Sequence, residues 1–280
     1  MDNRYLVDIG ALLNEEERLA WRTVRDFGER RIAPQIAAHY EAGTFPSELV
    51  VEFGELGLLG GSLDGYGGSG MGAVAYGLSM LELERQDSAM RSFCSVQSAL
   101  VMWPIYTYGD EHQKQRWLPA LSTGASIGAF GLTEPNSGSD PASMQTRAVQ
   151  QGSEYVLNGR KQWITSSPIA DVFVVWAQTT DTGASAPVIR GFVLERGMAG
   201  LSTPKLEGKL SLRASCTGEI VMDEVRVPTS NLLPGVSGLK GPLGCLSQAR
   251  YGIGWGALGA AMAVYECALE YSKTRKQFGK

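Results

Sequence analysis

Tyr155-Val156-Leu157-Asn158-Gly159-Arg160-Lys161-Gln162-Trp163-Ile164-Thr165 is where the chain changes character. Apolar and β-branched residues flank Asn158-Gly159, and Asn-Gly is the dipeptide favoured in a type I′ hairpin turn. The segment therefore predicts two short strands joined at Asn158-Gly159. The runs Asp171 to Gln178, Val188 to Leu194 and Thr217 to Val227 are again β-branched or aromatic, separated by Gly, Pro and Ser. No helical run between them is long enough for a parallel crossover. Residues 129–240 are expected to form an antiparallel β domain.

Outward from that segment the periodicity is helical. Leu19, Val24, Phe27 and Ile32 recur at roughly helical spacing between charges, behind an Asn14 cap. A short helix is expected over Ser47 to Leu58, then a glycine-rich loop from Gly60 to Gly72. One or two long helices follow from Val74 to about Met102, and another from Asp110 to Leu121. Residues 1–128 read as a helical domain. From Gly241 through Leu246 to Phe278 the pattern turns helical again, and Pro234 to Gly244 is the best linker candidate. Residues 241–280 fall short of a four-helix bundle, which needs roughly 90 residues. The fold class is α+β: an N-terminal α-helical domain, a middle antiparallel β domain and an incomplete C-terminal helical bundle.

Composition narrows the function. With 25 basic and 29 acidic side chains the net charge is −4, which leaves no electrostatic footprint for nucleic acid. His39 and His112 with Cys94, Cys216, Cys245 and Cys267 form no metal-ligand spacing, so no metal site is expected. The opening from Asp2 and Arg4 to Glu15-Glu16-Glu17-Arg18 has neither a signal-peptide core nor a transit-peptide composition. The uncharged stretches Ser92 to Gly109 and Gly252 to Tyr265 are interrupted by glycine, proline or hydroxyls and read as buried helices rather than membrane spans.

Two glycine motifs invite a dinucleotide reading. Gly65 to Gly70 and Gly254 to Gly259 both fit G-x-G-x-x-G, but neither follows a strand in a βαβ unit. The first is expected to be a flexible or close-packed loop. The second, with Gly252, is expected to let helices approach closely.

Three clusters carry chemistry. Phe130-Gly131-Leu132-Thr133-Glu134-Pro135-Asn136-Ser137-Gly138-Ser139-Asp140-Pro141 is a shaped loop, because Pro135 and Pro141 bias Glu134 and Asp140 toward extended backbone. Its amides and hydroxyls suit a phosphate or a heterocycle edge, and an ordinary surface turn would look alike. Alternation in a strand would put Trp163 and Thr165 on one face, either as a plate and donor for a planar ligand or as a core tryptophan and its neighbour. Glu84 and Arg91 are two helical turns apart and share a face if the helix is continuous. Arg91 borders a long uncharged tract, so it is tied either to a protein carboxylate such as Glu84 or Asp87 or to one from a ligand.

Together these segments resemble the acyl-CoA dehydrogenase family from end to end. The likeness rests on Tyr66-Gly67-Gly68-Ser69-Gly70, Phe130 to Asp140, Gly159-x-Lys161-x-Trp163-Ile164-Thr165 and Thr274-Arg275-Lys276-Gln277-Phe278-Gly279. Arg91-Ser92 with Ser95-Val96-Gln97-Ser98, Lys209-Leu210-Ser211-Leu212-Arg213-Ala214, and Gly241 to Gly252 around Gln248 and Arg250 draw it nearest to the glutaryl-CoA dehydrogenases.

The resemblance implies flavin adenine dinucleotide (FAD) as cofactor, held by Phe130, Leu132, Thr133, Gly138, Ser139 and Ile164. Trp163 would lie against the isoalloxazine and the Thr165 hydroxyl near N5. It further implies an acyl-CoA substrate, with Arg91 on the distal carboxylate of glutaryl-CoA, Ser92 and Glu84 beside it, and Ser139 with Leu243 to Arg250 lining the thioester tunnel. The implied reaction is α,β-dehydrogenation followed by loss of CO2 to give crotonyl-CoA, a step of lysine and tryptophan degradation. Electrons would pass to an electron-transferring flavoprotein. The assembly would be a homotetramer in which Arg275 reaches a neighbouring subunit's FAD. The family's catalytic glutamate matches no residue up to Lys280. The chain is thus expected to be a C-terminally truncated, inactive piece of a bacterial cytoplasmic enzyme, or of a mitochondrial matrix enzyme if processed. Two rivals stay open: a dehydrogenase for another short acyl chain with Arg91 structural, and a non-catalytic flavin- or acyl-CoA-binding fragment.

Overall fold

Asn14 starts the first helix by a reciprocal cap: its side chain accepts from the Glu17 amide and its own amide donates to the Glu17 carboxylate, both at 2.9 Å. The computed structural model describes residues 9–180 and 187–280, so the Asp2 and Arg4 opening lies outside the described residues. Helix α1 (Glu15–Phe27) passes through a π-helical turn (Gly28–Ile32) into α2 (Ala33–Ala42). Helix α3 (Leu49–Glu55) leads to the glycine-rich loop. That loop is a tight hairpin, β1 (Asp64–Gly65) on β2 (Gly68–Ser69), turned by Tyr66 and Gly67 at φ 50° and 88°. The first glycine motif is therefore close-packed: a Cβ on Gly68 would lie 2.3 Å from the Leu63 carbonyl oxygen.

Helix α4 (Ala73–Gln86) stops at Asp87, whose extended backbone (φ −167°, ψ 139°) and side chain, accepting from the Ala89 amide, begin α5 (Ser88–Ser95). A π-helical segment (Val96–Met102) carries α5 into α6 (Trp103–Tyr108). Asp110 and Gln113 form a second reciprocal cap at the start of α7 (Glu111–Ser122). Phe53, Leu59, Met80, Leu83 and Phe93 close one core among these helices, and Val101, Met102, Ile105 and Leu118 close another against the sheet.

The sheet comprises β3 (Gly128–Gly131), β4 (Arg147–Gln151), β5 (Glu154–Thr165), β6 (Val172–Thr179), β7 (Val188–Glu195), β8 (Leu201–Ser202) and β9 (Thr217–Pro228). Two expectations change here. Asn158-Gly159 is not a turn: β5 runs straight through it, and the hairpin sits at Gly152-Ser153, where Gln151 pairs with Glu154. Asn158-Gly159 is instead absorbed as a bulge against β9, with Gly159 at φ 151° and the Asn158 side chain accepting from the Glu224 amide. The sheet is also not wholly antiparallel. β3 and β4 both pair parallel to β6, at Gly128↔Val172 through Gly131↔Val175 and at Arg147↔Gln178 and Ala148↔Thr179. Because β7 occupies the other edge of β6, β3 and β4 lie end to end along one edge, and residues 132–146 leave the sheet between them.

Pro234 to Gly244 is no loose linker. Leu233 and Val236 are buried, the Gly235 amide donates to the Tyr108 carbonyl and the Gly238 amide to that of Ile189. Helix α8 (Lys240–Thr274) then lies along α4, with Gly252, Gly256 and Gly259 buried at the contact. Gly254 faces open space, so the second glycine motif contributes to packing at only two of its three glycines. The stretch Gly252 to Tyr265 buries one face only, since Ile253, Leu258, Val264 and Tyr265 are exposed. By length and composition alone α8 is long and apolar enough to cross a membrane.

Candidate functional site

The looped-out residues 132–146 are held by a buried charge. Glu134 accepts from the amides of Gln145 (2.5 Å) and Thr146 (2.9 Å), from the Thr146 hydroxyl, and from Lys161 Nζ (2.8 Å), which also donates to the Leu132 carbonyl at 3.1 Å. One carboxylate thus ties both ends of the loop to β5. Burial acts to raise the Glu134 carboxyl, but the Lys161 ammonium and these donors outweigh it and leave it below the ordinary carboxylate value. Lys161 is wholly enclosed, and burial outweighs the pull of Glu134, taking its ammonium down to about 8. The motif Gly159-x-Lys161 was legible as a motif, but its pairing with Glu134 was not.

Two residues beyond Lys161 the strand loses register, and Trp163 takes φ 62°. This irregularity breaks the expected alternation and turns the indole outward, 61% exposed. Trp163 is therefore not a core tryptophan. Trp163, Ile164 and Thr165 all face a cleft of about 370 Å³, together with Phe130, Leu132, Thr133, Gly138 and Ser139 from β3 and its loop. Leu243, Leu246 and Arg250 of α8 close one side, and Val96 and Leu100 of the π-helical segment another. Leu100 escaped the sequence reading; its spacing of four from Val96 was the available signal.

The cleft's chemistry is that of a holder. Its floor is apolar, with Phe130 edge-on to Trp176 at 6.5 Å between ring centroids. The hydroxyls of Thr133, Ser139 and Thr165 make no hydrogen bond within the described residues. An open indole plate beside three uncommitted hydroxyls fits a planar heterocycle with polar edges. Among the described residues no Asp or Glu lines the cleft.

Glu84, Arg91 and Ser92 lie outside that cleft, farther along α4 and α5. Asp87 interrupts the helix, so Glu84 and Arg91 do not share one continuous helical face, yet Arg91 Nε donates to Glu84 Oε2 across the break. Arg91 and Glu84 side chains are 14% and 8% exposed. No other hydrogen bond engages the Arg91 Nη atoms among the described residues. From Val96 back to Arg91 is five residues, about 8 Å of helix, and from Arg250 on to Gly256 is six, about 9 Å. The pair therefore sits deeper than the cleft along both helices. Arg275 caps the far end of α8 and is not brought to the cleft.

Models of the acyl-CoA dehydrogenase N-terminal, middle and C-terminal domains match residues 14–125, 129–225 and 237–280. The chain belongs to the acyl-CoA dehydrogenase family. Two crystal structures of a glutaryl-CoA dehydrogenase from Mycobacterium smegmatis, one in complex with FADH2, superpose with TM-scores of 0.94 and 0.93. They are 50% and 52% identical, covering 98% and 97% of this chain and 69% of each of theirs. A short-chain specific acyl-CoA dehydrogenase from Clostridium acetobutylicum is 38% identical over 271 residues, 96% of this chain and 71% of that protein. In this acyl-CoA dehydrogenase the two dinucleotide-like glycine motifs serve a hairpin and a helix contact, and the cleft is built elsewhere.

Proposed function

We propose that this acyl-CoA dehydrogenase takes glutaryl-CoA, and that Arg91 holds the distal carboxylate. The observation that carries it is the half-committed guanidinium: Nε is fixed by Glu84, while the Nη atoms make no hydrogen bond among the described residues beside an apolar tract. A buried arginine with an open fork is costly unless a carboxylate completes it. FAD, the cofactor, supplies the two-electron acceptor for α,β-dehydrogenation when bound. Phe130, Leu132 and Ile164 would give the ring system an apolar bed, Trp163 would stack on it, and Thr133, Gly138 and Ser139 would meet its polar parts. The Thr165 hydroxyl would donate to the reducible edge. Ser139, Leu243 and Arg250 would guide the thioester arm, and Ser92 would stand beside Arg91. Loss of the distal carboxylate as CO2, an electron-transferring flavoprotein as electron acceptor, and a homotetramer sharing Arg275 between subunits belong to the same proposal. The support is the glutaryl-CoA dehydrogenase likeness at 50% identity. The relative named short-chain specific supports the rival, another short acyl chain with Arg91 structural. Equilibrium titration separates them: glutaryl-CoA should bind more tightly than butyryl-CoA, and equal affinity would favour the rival.

Two expected results follow from the cleft. Thr165→Val keeps the shape and removes one donor, so in a longer chain that carries the family's catalytic glutamate FAD should stay bound while substrate bleaches its absorbance roughly tenfold more slowly. An unchanged rate in stopped-flow mixing would remove Thr165 from that edge. Because no carboxylate among the described residues lines the cleft and Glu84 is tied to Arg91, residues 1–280 should bind glutaryl-CoA without dehydrogenating it. Anaerobic mixing with the flavin-loaded chain checks this, and bleaching that disappears in Glu84→Gln would make Glu84 the proton acceptor.

A further inference from the structure

Helix α8 crosses the Glu84–Arg91 pair at Gly256, a position without a side chain. A Cβ there would lie 2.8 Å from Glu84 Oε2 and 3.1 Å from Arg91 Nε. Both atoms belong to long side chains rather than to backbone, so the pair can shift without moving the helices. Neighbouring glycines differ. At Gly259 a Cβ would lie 2.0 Å from the Leu81 carbonyl oxygen, and at Gly77 it would lie 2.3 Å from the Trp255 indole, so there the helix packing itself must yield. At Gly254 nothing lies within 4 Å.

We propose that Gly256 is a specificity-determining position: its missing side chain leaves the room in which Glu84 holds Arg91 by Nε and leaves both Nη atoms uncommitted. The proposal rests on Arg91 as the carboxylate-holding residue and adds what sets its direction. A planar guanidinium recognises a carboxylate only over a narrow range of orientations. Its direction here is set by one Nε contact, with the Arg91 side chain 14% exposed. A methyl group at 256 turns that fork, while the cleft residues of the same helix, Leu243, Leu246 and Arg250, lie six or more residues back along α8.

The test uses the flavin-loaded protein, Gly256→Ala and the control Gly254→Ala. One readout is the ¹H–¹⁵N resonance of Arg91 Nε, assigned by its loss in Arg91→Gln. The other is the ratio of dissociation constants for butyryl-CoA and glutaryl-CoA. Gly256→Ala should shift the resonance and lower the preference for glutaryl-CoA about tenfold, and Gly254→Ala should leave both at the parent values. An unmoved resonance in folded Gly256→Ala overturns the proposal, as does a moved resonance with an unaltered preference. Failure of Gly256→Ala to fold beside a folded Gly254→Ala would class Gly256 with Gly259 as a packing glycine and overturn it too. A parent protein with no preference for glutaryl-CoA would overturn the functional proposal beneath it, a failure visible before any variant is made.

Discussion

Lys161→Met should lower the unfolding free energy by roughly 3–5 kcal/mol at neutral pH, because it leaves a buried carboxylate without its counter-charge. Methionine fills the same volume, so the loss reports charge rather than a cavity. Glu134 would keep the donors from Gln145 and Thr146. It would lose the ammonium that outweighs burial. Urea midpoints check the size. Lys161→Met with Glu134→Gln should recover part of the loss, since removing both charges spares the desolvation of either. A single variant as stable as the parent would mean that the pair is solvated and does not hold the loop.

The pH dependence has a definite sign. In the parent the Glu134 carboxyl is held below its ordinary value of 4.5, so in this range the unfolded chain binds the proton more readily. The contribution of Glu134 is therefore fully present above about 4.5 and is lost as pH falls through the lower folded value. In Lys161→Met burial is no longer opposed by the ammonium, and the folded carboxyl should rise above its unfolded value. Stability should then fall as pH rises through the carboxylate range, the reverse of the parent. For Lys161, depressed from 10.5 to about 8, the unfolded chain holds more protons between those values, so its penalty lifts as pH rises from about 8.

What was legible in the sequence was periodicity and local punctuation. The Asn14 cap, the helix opening at Asp110, the switch from helix to strand near Gly128, and strands β6, β7 and β9 appear as read, while the short β8 was not read. The misreadings have one physical cause, which is tertiary context deciding between equally good local solutions. Asn158-Gly159 is a turn dipeptide, yet Gly152-Ser153 offered a second turn six residues earlier, and pairing with β9 made the longer strand the better solution. Parallel pairing of β3 with β6 was invisible because the crossover contains no α-helix, only the 3-10 turn Pro141–Ser143; it runs through β4 and β5. The cleft residues from Phe130 to Ser139 and from Trp163 to Thr165 were singled out because they sit in two short segments, whereas Leu100 was not. Alternation put Trp163 and Thr165 on one face, and the strand does not keep that alternation. Lys161 and Glu134 lie 27 positions apart, and nothing local marks a lysine in a strand as buried.

Arg91→Gln should weaken glutaryl-CoA binding by on the order of 2 to 4 kcal/mol, roughly thirtyfold or more in Kd, while butyryl-CoA changes little. Glutamine keeps donors but loses the charge and the planar fork. Two energies move together in this variant. The ligand carboxylate loses a charge-assisted partner, and Glu84 loses the Nε contact that occupies it in the free protein. The second effect destabilises the free variant, and Glu84, no longer neutralised, would repel an incoming carboxylate in the same enclosed space. Glu84→Gln combined with Arg91→Gln removes that repulsion and should recover part of the glutaryl-CoA loss without restoring the parent's preference. The discriminating quantity is the ratio between the two substrates. Equal losses for glutaryl-CoA and butyryl-CoA would make the Glu84–Arg91 pair a brace between α4 and α5 that shapes the cleft for any acyl chain. A loss confined to glutaryl-CoA would require the guanidinium to meet the carboxylate itself.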